Sequence, residues 1–210
     1  MSRRRIAVLI SGSGSNLQAL IDATKSGVIP NAEICVVLSN RKAAYGLERA
    51  RNEGIPTEYL ALQPFLKKNP EKTRDDYDAE IARMVLKHSP DLVVLAGWMH
   101  ILGDGFLEIV YADQESRRPL PVINLHPALP GAFDGANALD RAYEAFQKGE
   151  ITYTGAMVHR VVKDVDRGEP VVVRQIDFVP GEPQDAFETR LHKVEWEIIV
   201  EATNKILQQL

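Results

Sequence analysis

Asn124, His126 and Asp166 are the residues of this chain whose types and spacing suit bond-making chemistry. The first two lie in Asn124-Leu125-His126-Pro127, directly after the apolar run Leu120-Pro121-Val122-Ile123, and the third lies in Val165-Asp166-Arg167-Gly168. An amide can bind a carbonyl oxygen, an imidazole can move a proton, and a carboxylate can set the charge of that imidazole. Together they suit transfer of an acyl-level carbon to an amine. Short Asn-x-His strings are common in polar loops, so position decides the matter. Residues two apart on an extended strand share a side, and ligands of open parallel sheets gather at the carboxyl ends of the strands. Asp166 also has a plainer reading, as the acid that closes a turn with Gly168 between two strands.

The other histidines support no metal chemistry. His88 stands before Pro90 near a helix end and reads as structural, while His192 sits in a helical pattern and reads as surface or site. No His-x-x-x-His pair is present, so zinc held by histidines is disfavoured. No Gly-x-Ser-x-Gly elbow is present either, which disfavours a serine hydrolase.

A second candidate site is Ser11-Gly12-Ser13-Gly14-Ser15-Asn16. Glycines let backbone N–H groups turn inward, and a helix N-terminus adds positive potential, so such a loop can hold a phosphate. The alternative is a tight turn with Ser15 or Asn16 as N-cap. A dinucleotide fingerprint needs a further glycine where Leu17 stands and an acid where Ser39-Asn40 end a strand. A P-loop needs a lysine that is missing. A site for one phosphate remains, which points to a phosphorylated small molecule.

These residues need a scaffold, and the chain spells out an α/β one: an open, mostly parallel, Rossmann-like sheet with helices on both faces and a long C-terminal helix. Short β-rich apolar runs alternate with helical patterns. Strands are expected at Ile6–Ile10, Glu33–Ser39, Thr57–Leu62, Leu92–Ala96, Val122–Asn124, Thr154–Val162 and Val171–Val179. Helices are expected at Leu17–Ser26, Tyr45–Asn52, Thr73–His88, Gly103–Val110, Asn137–Lys148 and Pro183–Leu210. Gln63–Lys72, with Pro64 and Pro70, reads as a loop, and Arg117-Arg118-Pro119 ends a polar connection. The βα alternation gives way to strand-rich sequence near residue 120. The expectation is one domain over residues 1–210, in which 1–120 form a phosphate-binding βα half and 121–210 carry the catalytic residues.

Composition excludes several classes. Two hundred and ten residues suit one sizeable core, and 45% apolar with 26% charged residues is ordinary for a soluble globular protein. A net charge of −4 favours neither nucleic acid nor an anionic membrane. The single Cys35, inside Ile34-Cys35-Val36, cannot form an internal disulfide and reads as a buried strand residue. Ser2-Arg3-Arg4-Arg5 followed by Ile6–Ile10 is too short in its apolar stretch for a secretory signal or a membrane span. A cytoplasmic soluble protein is expected.

The sequence resembles the phosphoribosylglycinamide formyltransferase family, stand-alone and fungal-type. The likeness is carried by Ile10-Ser11-Gly12-Ser13-Gly14-Ser15-Asn16-Leu17-Gln18, Leu95-Ala96-Gly97-Trp98-Met99-His100-Ile101-Leu102, Asn124-Leu125-His126-Pro127 and Val165-Asp166-Arg167-Gly168-Glu169-Pro170, in that order. The resemblance implies transfer of a formyl group from 10-formyltetrahydrofolate, a co-substrate, to glycinamide ribonucleotide in purine biosynthesis. The transfer would be direct, through a tetrahedral intermediate, with no metal. It implies Asn124, His126 and Asp166 as catalytic, with His126 protonated and Asp166 raising its pKa. Gly14, Ser15 and Asn16 would hold the substrate phosphate, with His192 and Glu195 toward the substrate's other end. Arg74, Met99, His100, Ile101, Leu102 and Asn124 would line the folate pocket, and the resemblance makes 121–210 the catalytic and folate-binding half. Two segments depart from the family pattern. His100 stands where arginine is frequent, so backbone contacts carry over there, and Ala128–Gly135 differs from the commoner loop form. Partners are expected to be small molecules only, without nucleic acid or membrane, in a monomer or homodimer.

Other readings share parts of this pattern. A formyl-tetrahydrofolate hydrolase would use the same three residues with water as acceptor, but commonly carries a further domain. A methionyl-tRNA formyltransferase would need a basic RNA-binding domain, which the acidic balance opposes. A non-catalytic nucleotide-binding module would need only the glycine loop, and would leave Asn124, His126 and Asp166 without a purpose.

Overall fold

A computed structural model describes residues 3–112 and 119–210. Ser2 and the Arg117-Arg118 connection lie outside the described residues. A seven-stranded sheet runs through the molecule in the order β3-β2-β1-β4-β5-β6-β7. Its strands are β1 (Arg4–Ile10), β2 (Ala32–Ser39), β3 (Thr57–Tyr59), β4 (Leu92–Leu95), β5 (Val122–His126), β6 (Tyr153–Arg160) and β7 (Pro170–Asp177). The first five are parallel, and β6 and β7 continue the sheet antiparallel.

Alternation along each strand feeds two cores, one on each face. Ile6, Val8 and Ile10 join Leu92, Val94, Ile123 and Leu125 on one face. There they meet α1 (Ser15–Ser26), α2 (Tyr45–Asn52), α6 (Ala138–Gln147) and the long α7 (Gln184–Gln208). Ala7, Leu9, Val93, Leu95 and Val122 face the other way. They pack on α3 (Leu62–Lys68), α4 (Arg74–Leu86) and α5 (Asp104–Tyr111). Strands buried on both faces explain the near-continuous hydrophobicity of β1 and β4. Asn124 and His126 share the parity of Val122, so they belong to the α4–α5 side.

One expectation and one alternative reading needed correction. Gln63–Lys72 contains a helix, α3, because Pro64 falls in its first turn, where a missing N–H breaks no intrahelical bond. Pro70 lies beyond its end. Neither Ser15 nor Asn16 caps α1; the N-cap is Gly14, at φ 72°, and no side chain bonds there. The start of α4 is capped in the usual way, since Thr73 and Asp76 form a reciprocal capping box. Cys35 is buried as expected, its thiol pushed up to about 11 by desolvation and therefore unreactive. Among the described residues, no helix is long and apolar enough to cross a membrane.

Strand order reverses beside β1: the chain goes out to β2 and β3, then returns to place β4 on β1's other side. A crevice opens at such a switch point, beyond the strands' carboxyl ends. Ser11 ties the ends of three strands together there. Its N–H donates to the Gly97 carbonyl at 3.0 Å, its hydroxyl donates to Asn40 Oδ1 at 2.7 Å, and the Met99 N–H donates to its hydroxyl at 2.7 Å.

Candidate active site

Three elements deliver a buried polar cluster beside this crevice. β5 supplies Asn124 and His126. The connection from β6 to β7 supplies Asp166, whose backbone is left-handed at φ 57°. β6 supplies His159, which lies directly opposite Asn124 in the antiparallel register. His126 Nδ1 is 3.4 Å from Asp166 Oδ2, and His159 Nε2 is 3.4 Å from Asp166 Oδ1. Asn124 Nδ2 lies 3.2 Å from His159 Nε2 and 3.4 Å from Asp166 Oδ1. The three residues expected from sequence therefore meet around one carboxylate.

His159 was not singled out by the sequence. Its Nδ1 is 2.8 Å from the Arg160 carbonyl, which can only accept, so Nδ1 carries a hydrogen. Nε2 then accepts the Asn124 amide hydrogen when the ring is neutral, or faces Asp166 with a proton when it is charged. Only the β5–β6 register puts it there.

The variant loop Ala128–Gly135 also reaches the site. Gly135 N–H donates to Asp166 Oδ2 at 2.8 Å, and Asp134 pairs with Arg167 at 2.6 Å. Burial alone would raise the Asp166 carboxyl, but the His159 contact, the Gly135 N–H and the charge of both imidazoles outweigh it and hold the pKa below its ordinary value. His126 goes the opposite way from expectation. Burial lowers its pKa, and the opposing pull of Asp166 does not restore it. The ring is thus neutral at neutral pH, and its buried Nε2 has no hydrogen-bond partner among the described residues. With Nδ1 turned to Asp166, the neutral ring keeps its basic lone pair on the buried Nε2, while the Phe133 carbonyl and Asp134 add smaller pulls toward the charged form. The cluster can take a proton at Nε2 and donate hydrogen bonds from Asn124.

The glycine loop joins β1 to α1. Ser15, Asn16 and Leu17 open α1, and the first N–H groups of a helix have no intrahelical acceptor. With no side-chain cap, they are free to receive an anion. Asn16 is buried; its Nδ2 lies 3.5 Å from Glu195 Oε2, and its Oδ1 is unpartnered among the described residues. Burial raises the Glu195 carboxyl to about 7, against a smaller opposing effect from Asn16. His192, one turn earlier on α7, is part-exposed and 3.7 Å from Glu188.

The remaining candidates sit on the turn after β4. Arg74 donates to the Ile101 carbonyl at 2.6 Å. Met99 and Ile101 expose their side chains, whereas Leu102 is buried. His100 turns inward, 2.6 Å from the buried Asp78, which also accepts the Gly103 N–H at 2.8 Å. Its side chain braces the turn from within.

Against known proteins, residues 4–203 match the family described as formyl transferase. The chain belongs to the formyl transferase family. Its relatives include the phosphoribosylglycinamide formyltransferase of Schizosaccharomyces pombe, 50% identical over 96% of each chain. That of Saccharomyces cerevisiae is 45% identical over 98% of each. Among solved structures, glycinamide ribonucleotide transformylase 1 of Geobacillus kaustophilus superposes with a TM-score of 0.81 at 33% identity, covering 98% of this chain and 99% of that one. The formyl transferase assignment thus rests on the whole length of the sheet and not on the polar cluster alone.

Proposed function

We propose that this chain transfers the formyl group of 10-formyltetrahydrofolate to the amine of N1-(5-phosphoribosyl)glycinamide, in purine biosynthesis. One observation carries the reading: the buried His126, its Nε2 without a hydrogen-bond partner among the described residues, shares the Asp166 carboxylate with the Asn124 amide. Transfer makes a bond from the amine nitrogen to the formyl carbon and breaks the bond from that carbon to N10. One proton must leave the amine and one must reach N10. His126 Nε2 takes the first, and the imidazolium so formed, held by Asp166, supplies the second. Such proton transfer contributes about 10²–10⁴-fold. Asn124 gives up its long contact with Asp166 and donates to the formyl oxygen as negative charge grows there. A donor of that kind is worth about 3–4 kcal/mol. His159 acts through Asn124 and Asp166 by holding both in place.

The N–H groups of Ser15 and Asn16, with Gly14 kept bare, receive the ribonucleotide phosphate. Glu195 and His192 lie toward the rest of that substrate. The exposed apolar side chains of Met99 and Ile101, on a turn braced by Arg74 and His100, suit a flat heteroaromatic ring, so the residues present fit a folate. The phosphate loop belongs to residues 1–120 and the catalytic residues to 121–210. The folate turn also falls in the first half, so the halves of this single domain do not separate the two substrates.

The test is formyl transfer by the purified protein to glycinamide ribonucleotide, against water and tRNA as acceptors. His126→Ala should lower kcat by at least about 10²-fold while both substrates still bind by calorimetry. Near-normal turnover in the folded variant would remove His126 from the mechanism, and transfer only to water would replace the acceptor.

A further inference from the structure

The glycine loop takes its shape from a neighbour. Gly46, at the start of α2, donates its N–H to the Gly12 carbonyl at 3.1 Å. Arg49, one turn on, donates Nε–H to the Ser13 carbonyl at 2.8 Å. The Gly14 carbonyl accepts the Gln18 N–H at 2.9 Å and closes the first turn of α1. Three successive carbonyl oxygens are thereby engaged. Any of them left loose could swing toward an incoming anion and repel it. The fit is close: a Cβ on Gly14 would lie 2.6 Å from the Gly46 Cα, and one on Gly46 would run into Ile10.

Arg49 is itself held. Its Nη1 donates to Gln18 Oε1 at 3.1 Å, and its guanidinium lies 4.9 Å over the Tyr45 ring. Both hydrogen-bond acceptors are uncharged, and among the described residues Arg49 enters no ion pair. Its neighbour Arg51 is instead paired with Glu48 at 3.5 Å. A positive charge without a carboxylate therefore stands against the loop.

We propose that Arg49 is a positioning residue for the phosphorylated substrate: it fixes the glycine loop through the Ser13 carbonyl and brings an uncompensated charge beside the phosphate. The proposal rests on the reading that Gly14, Ser15 and Asn16 hold phosphate. Arg49 touches no reacting atom, so its effect belongs to binding of one substrate.

The test is steady-state kinetics of Arg49→Gln and Arg49→Lys, each substrate varied in turn, with inorganic phosphate as a competing anion. In Arg49→Gln the ribonucleotide KM should rise roughly tenfold, the loss of one charge-assisted contact. The folate KM and kcat at saturation should stay within about twofold. Phosphate should compete with the ribonucleotide in the native enzyme and more weakly in Arg49→Gln. Arg49→Lys keeps the charge without the Nε fork and should fall between. An unchanged ribonucleotide KM in Arg49→Gln overturns the proposal, as does an equal loss for both substrates, which would mean general loosening of the fold. Gly14→Val separates the two levels of argument. If it raises the ribonucleotide KM and Arg49→Gln does not, Arg49 alone loses its role; if neither does, the phosphate reading of the loop fails as well.

Discussion

Leaving His126 Nε2 buried without a partner costs about 1–3 kcal/mol, and on the proposed function that nitrogen is where a substrate proton has to go. Asp166 is what keeps that nitrogen basic. In Asp166→Asn the shape stays and the charge that favours imidazolium is removed, so the His126 pKa, already lowered by burial, should fall further. The acid limb of the kcat profile should then move to lower pH and the plateau should drop, each unit of pKa corresponding to about 1.4 kcal/mol. A pH–rate profile beside an NMR titration of His126 checks this; an unmoved limb would leave Asp166 as the acid of a turn. Much of this site was legible in sequence. Asn124 and His126 share a side by strand parity, and Asp166 completed a family pattern. His159 was invisible because its place depends on which residue of β6 faces Asn124. The direction of the His126 shift was also hidden, since it turns on how much protein covers the ring.

The connection from β6 to β7 is an element built to present one carboxylate. Its Gly168 has no room for a side chain: a Cβ there would fall on the Arg160 carbonyl. Gly168→Ala should destabilise the protein by about 1–3 kcal/mol in urea unfolding, through overpacking against backbone. It should also cost more activity than its folded fraction accounts for, because Asp166 moves with the turn. At the other end of the site, Glu195 burdens α7 with a buried acid. Its pKa is raised to about 7, so the folded state holds a proton that the unfolded state loses above about pH 4.5. Stability from this group is intact below that pH, declines as pH rises, and is fully lost above about 7. Glu195→Gln should match the native protein near pH 4 and exceed it above pH 7, by up to about 3 kcal/mol. Thermal melts across pH 4–8 measure it, and a constant difference would contradict the titration. Element types were mostly readable from periodicity. α3 was not, because two prolines look like punctuation until one of them is seen to occupy a first turn.

Across the whole molecule, a single sheet is the shared wall of two cores, so neither side can dissolve alone. Ile81, from α4, and Ile198, from α7, are both fully buried on opposite faces. Truncating either to alanine should cost about 2–5 kcal/mol and shift one and the same cooperative transition, seen identically by circular dichroism and fluorescence. Separate transitions would mean that the two faces of the sheet unfold independently. That a parallel sheet would turn antiparallel past residue 120 could be suspected from the change to strand-rich sequence; that it remains one continuous wall required the pairing of β5 with β6. The contact between Asn16 and Glu195 joins positions 179 residues apart. On a ribosome adding about 5–20 residues per second, the loop side chain waits roughly ten to forty seconds for its acid. Asp166 arrives late as well, long after β1 and α1 have been made. On the proposed function, a nascent chain that has already made β1 and α1 is still catalytically silent, and competence waits for the last helix.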